Sequence, residues 1–328
     1  MAAPDRKRTE QFAEAFHELT DNVNTVVCGK RETVALAVAC LLCEGHLLVE
    51  DVPGVGKTVL ARCLAASVGG SVRRLQFTPD LLPSDITGTL VLRRRDGSDD
   101  LFEFEEGPVF ANVVIADEIN RAAPKVQSAL LEVMEERRVS IAGVSHPVPR
   151  PFLVVATENP VEMDGTYPLP EAQLDRFLMR VRLGYPDHQA ELDVLARWLE
   201  GRTPEKLVPR LSAGDVTRLA AVARAQHIDA QVRSYLVELV AATRSLPDVR
   251  LGVSPRGTIA LLRAAQVRAA SQGREFVLPD DIQKVADPVL AHRLILTTQA
   301  AMAGVTATDL IEKALSDVRP PSAPGGVR

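Results

Sequence analysis

The run Leu47-Leu48-Val49-Glu50-Asp51-Val52-Pro53-Gly54-Val55-Gly56-Lys57-Thr58-Val59-Leu60-Ala61-Arg62-Cys63-Leu64-Ala65 decides the fold. It reads as a short apolar strand, a glycine loop and a helix. The loop ends in Gly-Lys-Thr, the ending of a phosphate cradle. Glycines there let backbone N–H groups turn inward toward phosphate oxygens, and the helix N-terminus adds its positive end. Lys57 would reach the β- and γ-phosphates, and the Thr58 hydroxyl would ligate Mg²⁺. Pro53, Gly54, Val55, Gly56 and Val59 complete the loop that would cup the nucleotide. The pattern G-x-x-x-x-G-K-[ST] opens with Gly, and here Asp51 holds that place. Because Gly54 and Gly56 remain, Asp51 reads as a tolerated variation. A chance glycine-rich turn is the bland alternative, and the flanking strand and helix argue against it.

A second apolar run, Val113-Val114-Ile115-Ala116, ends in Asp117-Glu118 about sixty residues later. In a doubly wound sheet the ligand lies beyond the carboxyl ends of the strands. Asp117 can therefore face the Mg²⁺ held by Thr58, and Glu118 can orient or deprotonate an attacking water. Acidic residues are also favoured at a helix start, so the pair gains its meaning from the phosphate loop. A third run, Phe152-Leu153-Val154-Val155-Ala156-Thr157, ends in Glu158-Asn159-Pro160. The Asn159 amide could hold a water against the γ-phosphate, or Asn159 is a turn residue before proline.

Strands that alternate with helices imply an α/β fold with a parallel sheet covered on both faces. Helices are expected over residues 6–24, with Phe12, Phe16 and Leu19 on one face, and over residues 32–43 and 124–136. Residues 72–77 read as a strand and 81–85 as a short helix. Hairpins are signalled at 88–105, with a polar tip at 96–100, and at 139–151. After Pro186 the composition turns Ala- and Leu-rich with helical periodicity. Pro204, Pro247, Pro255, Pro279 and Pro288 read as punctuation between helices. The expected units are residues 1–186, an all-helical 187–317, and a Pro/Gly-rich disordered tail at 318–328.

The 328 residues are 46% hydrophobic and 25% charged, as in an ordinary globular protein. A net charge of −5 argues against a nucleic-acid footprint over the whole surface. Arg93-Arg94-Arg95 is followed by Asp96, Asp99 and Asp100, which suits a solvated hairpin tip. No apolar stretch reaches membrane-spanning length and the first ten residues are polar, so the chain reads as cytoplasmic. Cys40-x-x-Cys43 lies in an apolar helical run without a second ligand pair. Together with Cys28 and Cys63 these read as reduced, buried packing residues, not a zinc site.

Several long motifs occur in order and carry a resemblance. Val113-Val114-Ile115-Ala116-Asp117-Glu118-Ile119-Asn120-Arg121 and residues 155–177, ending in Leu174-Asp175-Arg176-Phe177, resemble the MoxR family of AAA+ ATPases. Gly252-Val253-Ser254-Pro255-Arg256-Gly257 and Phe276-Val277-Leu278-Pro279-Asp280-Asp281-Ile282 resemble that family's lid. The resemblance spans about residues 8–316. It implies a P-loop NTPase core with two β-hairpin insertions, a C-terminal all-α lid, and ATP or ADP with Mg²⁺ at their junction. It makes Lys57 and Thr58 phosphate and Mg²⁺ contacts, and Asp117 and Glu118 the acidic pair. Asn159 takes the sensor-1 position, Arg256 the sensor-2 position, and Arg176 that of an arginine finger acting on the neighbouring subunit's ATP. Val27 and Gly29 match the segment bordering adenine. From residue type alone, Arg176 would be a salt-bridge partner and Arg256 a helix-start arginine. Arg121 and Arg180 are further interface candidates. Family members often carry Gln before the sensor Asn. Glu158 here either adds negative charge near the γ-phosphate or points away.

The resemblance implies a hexameric ring that hydrolyses ATP to remodel or activate a partner, commonly one with a von Willebrand A domain. Two other classes compete: a nucleic-acid motor, disfavoured by the acidic balance, and an ATP-gated scaffold with little turnover, disfavoured by the presence of Glu118, Asn159 and Arg176. No Asn-Lys-x-Asp motif of a guanine reader is present.

Overall fold

The computed structural model describes residues 6–52, 54–93, 101–159 and 166–321. Helices α1 (Arg6–Asn24) and α2 (Arg31–Leu42) lead into β1 (Leu47–Glu50), and α3 (Lys57–Ser67) follows the glycine loop. Next come β2 (Val72–Gln76), α4 (Pro83–Thr87) and the hairpin β3 (Gly88–Arg93) and β4 (Leu101–Glu106). Strand β5 (Val113–Asp117) feeds α5 (Pro124–Glu136), and a second hairpin, β6 (Arg138–Ile141) and β7 (Val144–Pro147), returns to β8 (Leu153–Glu158). A short α6 (Glu171–Leu174) precedes β9 (Met179–Val181).

Five strands form one parallel sheet in the order β2-β5-β8-β1-β9. Every residue of β5 is buried, and only the last residue of β8 is not. Strands covered on both faces show no polar alternation, which is why these two are uninterrupted apolar runs. Leu47, Val49, Val113, Ile115, Leu153 and Val155 face one core, and Leu48, Val114, Ala116, Val154 and Ala156 face the other. The second core is closed by α5 and by residues such as Phe77, Ile86, Val139 and Phe152.

After β9 the chain is mainly helical: α7 (His188–Leu199), α8 (Ala213–Arg224), α9 (Ala230–Ser245), α10 (Pro255–Ser271), α11 (Pro279–Leu290), α12 (Thr298–Met302) and α13 (Ala307–Asp317). Asp187, Ser212, Ser254 and Thr306 each accept a hydrogen bond from a first-turn N–H and so set the starts of α7, α8, α10 and α13. Pro255 and Pro279 sit in first turns, where the missing N–H costs nothing. Pro288 differs from its reading as punctuation. It lies inside the last turn of α11, which continues two residues past it.

Helix α1 packs on α2 and α3 and also on α8 and α10. Its Phe12, Phe16 and Leu19 belong to the same buried cluster as Tyr235, Leu261 and Ile282. The first core thus runs from the sheet through α1 into the C-terminal helices. Polar ties reinforce this seam. The nearly fully buried Arg293 ion-pairs with Asp175 at 2.8 Å and donates to the carbonyls of Phe177 (2.6 Å) and Leu178 (3.3 Å). Glu44 accepts from Arg224 at 2.8 Å and Arg137 at 3.5 Å.

Two strand features escape the sequence reading: β9, and the pairing of β10 (Val249–Leu251) with β11 (Ile295–Leu296). Both hairpins form where expected. Arg93 pairs with Glu103, while Arg94, Arg95, the tip at 96–100 and residues 322–328 of the expected tail lie outside the described residues. Cys28, Cys40, Cys43 and Cys63 are buried and unpaired. Burial pushes the thiols of Cys43 and Cys63 up to about 12. Among the described residues no helix is long and apolar enough to cross a membrane.

Candidate active site

The glycine loop joins the carboxyl end of β1 to α3. Gly54 and Gly56 have φ of +86° and +93°, a region that side-chain-bearing residues rarely adopt. A Cβ at either position would meet nothing within 4 Å, so conformation, not crowding, demands glycine, and the space over the loop is open. Gly56 caps α3 without a side chain, which leaves the first N–H groups of the helix for an anion. Pro53 lies outside the described residues; Val55 and Val59 flank the turn.

Asp51 is more than a tolerated variation. Its carboxylate accepts from the backbone N–H groups of Val52 (2.8 Å), Leu183 (2.7 Å) and Gly184 (2.5 Å). A glycine could not make these bonds, so the unusual residue anchors the base of the loop to the chain leaving β9. Lys57 Nζ donates to the carbonyls of Asp51 (2.5 Å) and Glu158 (3.2 Å). Burial lowers the Lys57 pKa, while the charges of Asp51, Asp117 and Glu118 oppose that shift.

Strands β5 and β8 are neighbours, so their carboxyl ends bring Asp117, Glu118 and Asn159 to the loop. Asp117 Oδ2 lies 3.4 Å from Thr58 Oγ1, and Thr157 Oγ1 donates to Asp117 Oδ1 at 3.2 Å. Glu118 has φ of +57°, a costly conformation for a side chain of its size. Its N–H donates to Thr157 Oγ1 at 3.0 Å, and its carboxylate accepts from Gln76 Nε2 and pairs with Arg121, both at 3.0 Å. Arg74 Nε holds Asp117 Oδ2 at 2.6 Å. Asn159 is buried directly after the Glu158 carbonyl that receives Lys57. A hydroxyl beside a carboxylate, next to a lysine and free helix-end N–H groups, is a donor set that fits a Mg²⁺-bound nucleotide.

Arg74, Gln76 and Thr157 join the site without a sequence motif that marks them. The available signal was weak: two polar residues spaced by two on a strand whose register sets them beside Ile115 and Asp117.

Glu158 is paired in register with Glu50 on β1. Desolvation and then the Glu50 charge raise its pKa to about 7, against a smaller lowering by Arg180. It therefore carries only part of a negative charge near neutral pH. Arg180 ion-pairs with Glu50 at 3.0 Å. Val27 and Gly29 line a cavity of about 580 Å³ with Asn24, Lys30, Leu183 and Arg197. Leu183 is also an Asp51 partner, which connects this cavity to the phosphate loop. A Cβ on Gly29 would lie 2.4 Å from Ala190 Cβ, so glycine lets α7 close on this edge.

Arg176 and Arg256 are not brought to Lys57. They sit at the amino end of the sheet, before β9 and at the start of α10, and both pair with Glu135 in the last turn of α5. The length of β1 and its flanking residues puts this end on the order of 15 Å from the loop. Within one chain, therefore, neither of these arginines reaches the glycine loop.

The sheet order, the loop geometry and the helical C-terminal part define an AAA+ ATPase domain followed by an AAA lid. Residues 46–179 match the ATPase family associated with various cellular activities (AAA), and residues 241–314 match the AAA lid domain. The chain belongs to the MoxR family of AAA+ ATPases. It is 44% identical to the chaperone MoxR1 of Mycobacterium tuberculosis over 91% of this chain and 80% of that protein. It is 34% identical to the protein MoxR of Paracoccus denitrificans over 86% and 89% of the two chains. A Bacillus subtilis protein, YeaC, described as uncharacterized, is 46% identical over 97% and 99%. The crystal structure of a Cytophaga hutchinsonii protein, classed provisionally as an ATPase, superposes with a TM-score of 0.89 at 38% identity, covering 96% of this chain and 98% of that one.

Proposed function

We propose that this protein hydrolyses ATP in a homo-oligomeric ring, a hexamer in keeping with its family, and spends each cycle on remodelling or activating a partner protein. The observation that carries this is the division of the site. Lys57, Thr58, Asp117, Glu118 and Asn159 meet at the carboxyl end of the sheet, while Arg176 and Arg256 stand together at the amino end. A site divided in this way is complete only when the arginine end of one copy meets the loop end of another.

In this reading Gly54 to Thr58 cup the phosphates through backbone N–H groups, and Lys57 leaves its two carbonyl partners for the β- and γ-phosphates. Thr58 and Asp117 would hold Mg²⁺, whose charge would be supplied to the phosphates when it is bound. Arg74, now on Asp117, must yield or share that carboxylate. Glu118, held by Gln76 and Arg121, orients the attacking water and accepts its proton. Asn159 fixes that water against the γ-phosphate. Val27 and Gly29 border the adenine. The neighbour's Arg176 and Arg256 stabilise the charge that develops during transfer. Residues 1–186 form the nucleotide-binding unit and 187–317 the lid. Buried, unpaired cysteines support a reducing, cytoplasmic setting. The partner, by resemblance, carries a von Willebrand A domain.

Mixed rings test this directly. Glu118→Gln should bind ATP without turnover, and so should Arg176→Ala. Mixing the two should recover a measurable share of phosphate release, because some sites then combine an intact Glu118 with an intact Arg176. No recovery at any ratio would refute completion in trans. Capture on the Glu118→Gln protein, with and without ATP, tests the partner class.

A further inference from the structure

The arginine end holds a cavity of about 490 Å³ whose charged lining includes Glu135, Arg137, Arg176, Arg256, Arg263 and Arg293. Three of these guanidiniums are committed to the chain. Arg137 donates to the Glu44 carbonyl at 2.6 Å, Arg263 to the Cys43 carbonyl, and Arg293 pairs with Asp175 at 2.8 Å. The other two converge on one carboxylate. Arg176 Nη2 meets Glu135 Oε2 at 3.0 Å, and Arg256 Nη2 meets Oε1. Arg176 Nε is buried with no hydrogen-bond partner among the described residues, so Glu135 does not saturate the guanidinium it holds.

Helix stability does not explain Glu135. It lies in the last turn of α5, a helix end that carries no basic residue in that turn, where the carbonyl ends disfavour an anion. The pair is also exchangeable. Glu135 and Arg256 side chains are 39% and 42% exposed, and ion pairs in such positions are weak. A terminal phosphate, with more charge and three oxygens, binds two guanidiniums better than one carboxylate does.

We propose that Glu135 is the resident anion of a phosphate subsite built by Arg176 and Arg256, and that the γ-phosphate of the adjacent copy's ATP displaces it when the ring closes. This rests on the trans reading above. Glu135 keeps the two arginines together in the free subunit and makes their transfer to phosphate cost one ion-pair exchange.

The test measures ATP turnover against protein concentration for wild type, Glu135→Gln, Glu135→Asp and Glu132→Gln, with melting followed in parallel. Glu132 lies one turn earlier on the same helix, so its variant controls for net charge. Glu135→Gln should lower the protein concentration for half-maximal turnover by about fivefold, the scale of one partly exposed ion pair. Glu135→Asp, shorter but charged, should shift it less in the same direction. Glu132→Gln should leave it unchanged. An unchanged or raised half-maximal concentration for Glu135→Gln would overturn the proposal, as would an equal shift in Glu132→Gln. Should Glu135→Gln melt early, the Glu135→Asp shift decides alone. Failure of the trans reading is seen separately, as turnover that survives Arg176→Ala.

Discussion

At the carboxyl end of the sheet, Thr58, Asp117, Glu118 and Thr157 share one hydrogen-bonded network, and Lys57 stands beside it on the Asp51 and Glu158 carbonyls. At the amino end, Arg176 and Arg256 come from a loop and a distant helix and meet through Glu135. The first end is built by the sheet itself. Its acidic groups are placed by neighbouring strand ends and its cation and hydroxyl by the first turn of α3. The second end is built by the contact of the C-terminal helices with the sheet, so its geometry follows wherever α10 sits. In the proposed function a site divided this way makes chemistry depend on assembly, and makes the arginine half sensitive to the seam between sheet and helices.

That contrast can be broken at either end. The largest effect is expected at the loop. Lys57→Ala should weaken ATP binding by two or more orders of magnitude in a titration, because the proposed function gives Lys57 the β- and γ-phosphates within its own chain. Unchanged affinity would take Lys57 out of the site. Next is the seam. Arg293→Met should lower unfolding free energy in urea by about 3–4 kcal/mol, since Asp175 loses its ion-pair partner, although Ser254 still donates to it, and the Phe177 and Leu178 carbonyls each lose a donor. Turnover should fall with it while monomeric ATP binding persists. A loss of binding equal to that of Lys57→Ala would merge the two ends.

Two smaller effects sharpen the carboxyl end. Asp51→Gly restores the usual first residue of the loop pattern, yet should destabilise the protein by roughly 2–3 kcal/mol, because three N–H groups lose a charged acceptor. A neutral or stabilising outcome would return Asp51 to the status of a tolerated change. Glu158 contributes a pH dependence. Its folded pKa stands near 7, above the ordinary 4.5. The folded protein then holds this proton more tightly than the unfolded chain. The corresponding stability is full below about pH 4.5 and is lost as pH rises through 7. Relative to Glu158→Gln, wild type should lose about 3 kcal/mol between pH 4.5 and pH 8 in urea titrations. Parallel curves would place Glu158 in water instead of beside Glu50.

Legibility followed the range of each interaction. The run from Leu47 to Ala65 reads directly as strand, loop and helix because every signal in it is local. The helix expected over 124–136 has those bounds in the structure, set by Pro124 and a face of Val126, Leu130, Val133 and Met134. β9 is not legible in the sequence because three residues with an arginine in the middle carry no period; its strand character comes from Leu47–Val49 alongside it. Asp51 looked incidental because its partners, Leu183 and Gly184, lie more than 130 residues away. Arg74 and Gln76 carry little local signal of their own; the register sets them beside Ile115 and Asp117, from where their side chains reach Asp117 and Glu118.

The sequence by itself determined the phosphate loop, the acidic pair at a strand end, the alternating α/β order and the family, because each is written in neighbouring residues through backbone conformation and side-chain period. Only the tertiary structure decided that Asp51 anchors the loop, that Glu158 faces Glu50, and that Arg256 stands with Arg176 and Glu135 instead of with Lys57. Those outcomes depend on strand order and on how the C-terminal helices close the shared core over α1, and such packing is set by the sum of many distant contacts, none of which is visible in a local stretch of chain.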